Sequence, residues 1–162
     1  MNLIRAEREV FNALVKGDRV CFFQMDENRI FVTPDGYMGY IFPVTAVSFN
    51  VGRCKEMKPM KIAELVQPEN ELFLTDDYHG AGFGDRRMYR RLKAAGKNVF
   101  VNNAFLANFQ NPRFFQQKGD AIGMITVTEK GASPKHDIPV GVILPIRCDW
   151  GDAYRKDGEP CG

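Results

Sequence analysis

The feature that most constrains the fold is a series of short apolar runs between residues 99 and 148, separated by turn residues. Val99 and Val101 alternate with their neighbours as in a strand, and strand-like runs follow at 113–118, 122–128 and 138–146. In the last run every second residue is apolar, which predicts that one face packs on a core. These residues are Ile138, Val140, Val142, Leu144 and Ile146. Asn102 or Asn103 can cap a short helix after the first strand, so the predicted order is strand, helix and three strands.

A similar order is predicted for residues 1–49. Apolar residues at helical spacing predict a helix that ends at Lys16-Gly17, with Arg5 and Arg8 on its polar face. The apolar residues are Leu3, Ile4, Val10, Phe11, Leu14 and Val15. Short β-rich runs at 20–25, 29–33 and 37–42 follow, separated by turns at 26–28 and 34–36.

The two units predict an α+β fold class, in which a helix followed by antiparallel strands occurs twice. The predicted single domain covers residues 1–148, with half-units at about 1–49 and 99–148 and a connector at 50–98. Residues 149–162 are predicted to form a polar tail. Both the apolar content and the length suit one domain with its own core.

The second unit resembles the terminal repeat of the bacterial DNA polymerase sliding clamp (beta subunit) family. The matching residues are Asn102, Asn103, Phe105, Leu106 and Phe109 in the helix, and the closing run Val142-Ile143-Leu144-Pro145-Ile146-Arg147. The resemblance implies one processivity-fold domain, a role in DNA replication, and contacts with DNA and with a polymerase or another replication protein. It also implies a partner-binding site at Val142, Leu144, Pro145, Ile146 and Arg147, where an apolar edge could accept a peptide by strand addition.

Charge points to nucleic acid only locally, because 22 basic residues against 20 acidic ones leave a net charge of +2. A helix predicted over 85–95 would align Arg86, Arg90, Lys93 and Lys97 at three- and four-residue steps, with Arg87 and Arg91 beside them. With Arg5 and Arg8 of the first helix, these form the predicted DNA-binding residues, which would bind phosphates without sequence preference. The alternative is a solvated basic helix, or one paired with acids such as Asp76, Asp77 and Asp85.

A second function class is a small phosphate-binding protein or enzyme. Gly80, Gly82 and Gly84 precede the predicted helix, and a glycine-rich turn there could present amides to a phosphate with Arg86 and Arg87. The segment lacks the full fingerprint of a nucleotide-binding loop, so an ordinary loop is the alternative. A third class is an oligomeric scaffold whose edge strands pair between copies.

No catalytic residues, cofactor or metal are predicted. Asp76, Asp77 and His79 are too few for a complete metal site, and His136 lies in a predicted hairpin loop. The four cysteines form no C-x-x-C pair. The first residues alternate apolar and charged types, which argues against a secretory signal or a membrane span, so a cytoplasmic protein with reduced thiols is predicted.

Overall fold

The computed structural model describes residues 1–80, 87–94, 96–130 and 137–146. The described helices are α1 (Leu3–Lys16) and α2 (Asn103–Leu106), with short 3₁₀ turns at Val44–Ala46, Val51–Arg53, Ala63–Leu65 and Pro68–Asn70. The described strands are β1 (Cys21–Gln24), β2 (Arg29–Thr33), β3 (Met38–Pro43), β4 (Lys55–Glu56), β5 (Glu71–His79), β6 (Tyr89–Ala94), β7 (Lys97–Asn102), β8 (Arg113–Gln116), β9 (Ile125–Lys130) and β10 (Asp137–Ile143).

All these strands join in one mixed sheet, in the order β4-β1-β2-β3-β10-β9-β8-β5-β6-β7. Neighbouring strands are antiparallel except β1 and β4. An antiparallel bridge joins Phe100 of β7, the strand at one end of the sheet, to Ile146, which follows β10 in the chain. The part of the sheet from β10 to β7 therefore curls back on itself.

Two apolar clusters lie on opposite faces of the sheet, because adjacent residues of each strand point to opposite sides. The main cluster packs α1 against one face; in β2, for example, it takes Ile30 and Val32, while Phe31 faces the other way. The second cluster consists of Phe23, Phe31, Ile41, Ile62 and Val142, with Met25, Met57, Met60 and Met124 packed around it. We call the face that carries the second cluster the outer face.

Local sequence chemistry sets the ends of α1 and the first turns. The side chain of Asn2 accepts a hydrogen bond from the Arg5 amide at 3.1 Å, and Gly17 ends the helix with a φ of +81°. In the β1–β2 turn, Asp26 accepts from the amides of Asn28 and Arg29. Asp35 does the same for Tyr37 and Met38 in the next turn, so both predicted turns are confirmed.

The predicted repeat of a helix and three strands is wrong, and the chain does not have the predicted clamp-like fold class. The second helix, α2, has only four residues, and residues 89–94 of the predicted helix 85–95 form strand β6. The predicted connector supplies β5 and β6, which extend the sheet beyond β8. One half-unit does not stand apart from the other, because β3 pairs directly with β10.

Two predicted apolar faces also differ from the structure. Helix α1 buries Ala6, Val10, Ala13 and Leu14, because its two small alanines allow close approach to the sheet. Ile4, Phe11 and Val15 are exposed instead. In β10 the pairing with β9 shifts between Pro139 and Gly141, which interrupts the alternation. Val140 and Ile143 consequently reach the main cluster, while Val142 faces the second.

Tyr40 lies at the centre of the main cluster with its side chain fully buried, and its hydroxyl donates to Glu9 of α1. Burial, with the neighbouring Glu9 carboxylate, raises the pKa of Tyr40 above its ordinary value. The unfolded chain therefore loses this proton near pH 10 while the folded chain keeps it, so stability falls as pH rises above about 10. Above pH 10, we expect the free energy of unfolding of Tyr40→Phe to fall less steeply with pH than that of the native chain, by up to about 1.4 kcal/mol per pH unit, as measured by urea unfolding. The exposed Tyr37, changed to Phe, is the control and should leave the decline unchanged.

Among the described residues, no helix is both long and apolar enough to cross a bilayer.

Candidate nucleic-acid interface

A cavity of about 400 Å³ opens on the outer face at β5, β6 and β7. Its wall combines an exposed aromatic ring with three lysines and two glutamates. The lining residues are Glu69, Asn70, Glu71, Phe73, Thr75, Lys93, Ala94, Lys97, Lys118 and Gly119. We call this site the basic cavity.

Phe73 and Lys93 lie side by side in the lining of the basic cavity. They are direct partners in the pairing of β5 with β6, so their side chains lie next to each other on one face. Their neighbours Leu72 and Leu92 point into the main cluster and hold both strands in place. Phe73 is 62% exposed, although a phenylalanine ring favours burial. The sheet thus presents an apolar ring and an ammonium group side by side to solvent.

The charges around the basic cavity are only partly neutralised. Lys93 and Lys118 are exposed, and neither has a carboxylate partner among the described residues. Glu71 is occupied by Arg113, whose guanidinium donates to it at 2.9 and 2.6 Å. Arg113 also binds Asp137. Glu69 also lines the cavity as an exposed carboxylate, next to Asn70, whose side-chain oxygen accepts a hydrogen bond from the Lys118 amide at 3.2 Å. With three lysines against two glutamates, one of them bound by Arg113, the lining carries a net positive charge.

Lys97 has a different role, because its ammonium group is already bound. It donates to the Gln116 side chain at 2.9 Å and to the carbonyl oxygens of Gln117 and Asp120 at 3.0 and 2.9 Å. Burial lowers the pKa of Lys97, and Asp120 opposes that shift. Lys97 therefore holds the loop between β8 and β9, and with it Lys118, against the end of the β6–β7 hairpin.

The predicted arginines do not form one stripe with the lysines. On a strand, Arg90 and Lys93 are an odd number of residues apart and point to opposite faces. Arg90 donates to the Thr75 carbonyl at 2.7 Å and pairs with Asp76, and its guanidinium lies 5.3 Å from the Tyr78 ring centre. Arg91 pairs with Asp77.

The other predicted DNA-binding residues lie apart from the basic cavity or outside the description. Arg87 lies over the Tyr78 ring at 5.7 Å. Arg5 and Arg8 belong to α1, which packs on the main cluster and thus on the opposite face of the sheet from Lys93. Arg5 is 3.9 Å from Glu9. Arg86 lies outside the described residues.

The predicted partner-binding residues are divided between the sheet and a groove. Val142 is buried, and β10 is hydrogen-bonded on both sides by β3 and β9, so its central residues offer no edge for strand addition. Beyond β10, the predicted residues Leu144, Pro145 and Ile146 line a groove of about 540 Å³ together with Tyr37, Tyr89, Asn102, Phe105 and Ile122. Arg147 lies outside the described residues. Partner binding at this groove stays a prediction.

The phosphate-loop alternative loses its structural premise. Gly80 directly follows β5, while Gly82 and Gly84 lie outside the described residues. No helix begins in residues 87–94, where the prediction required one to direct its amides to a phosphate. Within the described part of the chain, no group of three or more metal-binding side chains comes together. His136 and the predicted tail at 149–162 also fall outside the described residues.

Sequence reasoning found Lys93 and Lys97 but missed Phe73 and Lys118. The basic residues are spaced as on a helix, and this spacing led to the prediction of a helix where β6 and β7 form a hairpin. A signal for the hairpin was present, because Leu92 and the pair Val99 and Val101 flank a glycine turn. Gly96 adopts a φ of +77° in that turn. Nothing in the sequence around Lys118 predicted a place in this site, because its position beside β6 depends on the pairing of β8 with β5 and β9.

Comparison with known proteins finds no matching family model, no matching curated protein and no matching solved structure. The resemblance to the sliding-clamp family therefore stays a prediction.

Proposed function

We propose that this chain is a non-enzymatic nucleic-acid-binding protein that holds phosphates with Lys93 and Lys118 at the basic cavity. The observation that carries the proposal is that two exposed lysines, neither with a carboxylate partner among the described residues, line the same cavity as an exposed aromatic ring. Proteins that bind nucleic acid without sequence preference combine these two elements, since ammonium groups bind phosphates and aromatic rings contact bases.

The remaining charges of the site support the same ligand class. Arg113 neutralises Glu71, and Lys97 fixes the loop that carries Lys118, so both free lysines are held near one opening. With a net charge of +2, the whole chain has little long-range attraction, and binding must depend on these local contacts. A location in the cytoplasm and an association with DNA replication stay predictions.

Removing the two lysines together is expected to weaken DNA binding. The double variant Lys93→Gln, Lys118→Gln should bind labelled DNA about tenfold more weakly at about 50 mM salt, and its salt dependence should be shallower by between one and two in the log–log slope. Fluorescence anisotropy across a salt series, with single-stranded and duplex DNA of one sequence, measures both quantities.

A matched control is available at the other end of the sheet. Lys55 in β4 and Lys58 just after it are exposed and have no carboxylate partner among the described residues. Changing both to Gln makes the same charge change and should alter affinity by less than about twofold. Equal weakening by both double variants, or no binding of either form of DNA at low salt, would refute the proposal.

A further inference from the structure

We infer that the ligand of the basic cavity is a single strand, with an unpaired base stacked on the ring of Phe73. This inference rests on the proposed function and specifies its ligand. The residue next to Phe73 in β5, Leu72, is only 1% exposed and belongs to the main cluster, so the backbone position of Phe73 is fixed by the sheet. Its ring remains open to solvent beside Lys93, its direct partner on β6.

The geometry of the basic cavity favours an unpaired base. In a duplex each base face is covered by its neighbours, so a ring on the protein surface cannot stack on it without unpairing. An unpaired base offers an open π face that stacks on an aromatic side chain regardless of base identity. The cavity of about 400 Å³ is large enough to accept a base with its sugar.

The charges place the sugar–phosphate backbone relative to the stacked base. Lys93 lies directly beside the Phe73 ring, and Lys118 enters from the loop between β8 and β9. Glu71, the other glutamate of the lining beside Glu69, is bound by Arg113, so it repels phosphates less than an unpaired carboxylate would. A strand that stacks one base on Phe73 therefore finds two ammonium groups in the lining of the same cavity for its phosphates.

The test separates base stacking from phosphate binding. The probe is labelled oligo(dT) of about 12 nucleotides, within the site size of roughly 4–16 nucleotides usual for single-strand-binding folds. It is compared with an abasic strand of the same length, which keeps the phosphates and lacks the bases, and with a duplex of the same length. We expect the full chain to bind oligo(dT) about tenfold more tightly than either comparison probe.

Phe73 variants then assign that preference to one ring. Phe73→Leu should weaken oligo(dT) binding about tenfold, to the level of the abasic strand, with an unchanged salt slope because the lysines remain. Phe73→Trp should retain the preference. Phe11→Leu, which alters an exposed phenylalanine on α1, is the control and should have no effect.

The possible outcomes distinguish the inference from the proposed function. If Phe73→Leu binds oligo(dT) as tightly as the native chain, or if the abasic strand binds as tightly as oligo(dT), the stacking inference is overturned. The proposed function still stands in that case, provided that the double lysine variant weakens binding. If none of the probes binds at low salt, both are overturned.

Discussion

Gly141→Ala is expected to destabilise the fold by about 3 kcal/mol, because the centre of the sheet has no room for a side chain there. A β-carbon at Gly141 would lie 2.7 Å from the carbonyl oxygen of Gly39 and 2.9 Å from the ring of Phe109. Gly39 sits on the neighbouring strand β3, so its oxygen cannot move without disturbing the pairing of β3 with β10. Phe109 is 7% exposed and packs against Tyr40, so its ring has little freedom to withdraw.

Urea unfolding measures this effect, and a shifted midpoint with an unchanged slope would show that stability alone has changed. Gly52→Ala is the matched control. Gly52 is exposed, and a β-carbon there would meet only the Asn50 side chain, at 3.1 Å. We expect the control to change stability by less than about 0.5 kcal/mol. A Gly141→Ala protein with native stability would mean that β3 and β10 do not approach as closely as described.

The elements set by neighbouring residues were predictable from the sequence. Strand β2 was predicted at its observed bounds, and α1 ends at Gly17 as expected. These features depend on side chains within a few residues, such as Asp26 and Asp35 accepting from nearby amides.

The elements set by distant pairing were not predictable. β3 joins β10 across about a hundred residues of chain, and β5 pairs with both β6 and β8. Nothing local specifies those partners. Four of the six basic residues from Arg86 to Lys97 fitted a helical period, although Leu92 is buried in the main cluster as part of a strand.

The candidate site was predictable to the same extent as the strands that build it. Charge density in the sequence identified Lys93, which the structure places in the basic cavity. The proximity of Phe73 to a lysine could not be predicted, because it depends on the register in which β5 pairs with β6. Arg91 and Lys93 also differ in a way that the sequence does not show, because Arg91 pairs with Asp77 whereas Lys93 has no carboxylate partner among the described residues.

Asp77→Asn is expected to destabilise the chain by about 2–3 kcal/mol, because it leaves the charge of Arg91 without its partner. The side chain of Asp77 is only 19% exposed and that of Arg91 only 15%. The Nε atom of Arg91 is also buried and has no hydrogen-bond partner in the described part of the chain, so the guanidinium depends strongly on the Asp77 carboxylate. Removing one member of a poorly solvated pair costs more than the pair itself contributes.

The adjacent residue Asp76 provides the matched control. It forms the same kind of pair with Arg90, but its side chain is 76% exposed, so Asp76→Asn should cost less than about 0.5 kcal/mol. Replacing both members of the buried pair, Asp77→Leu with Arg91→Met, should recover most of the lost stability, since no isolated charge remains. Equal urea midpoints for Asp77→Asn and Asp76→Asn would contradict a structural role for Arg91. Because Arg91 stabilises the β5–β6 hairpin, a loss of DNA binding on changing it would reflect unfolding, whereas Lys93 and Lys118 test phosphate contact directly.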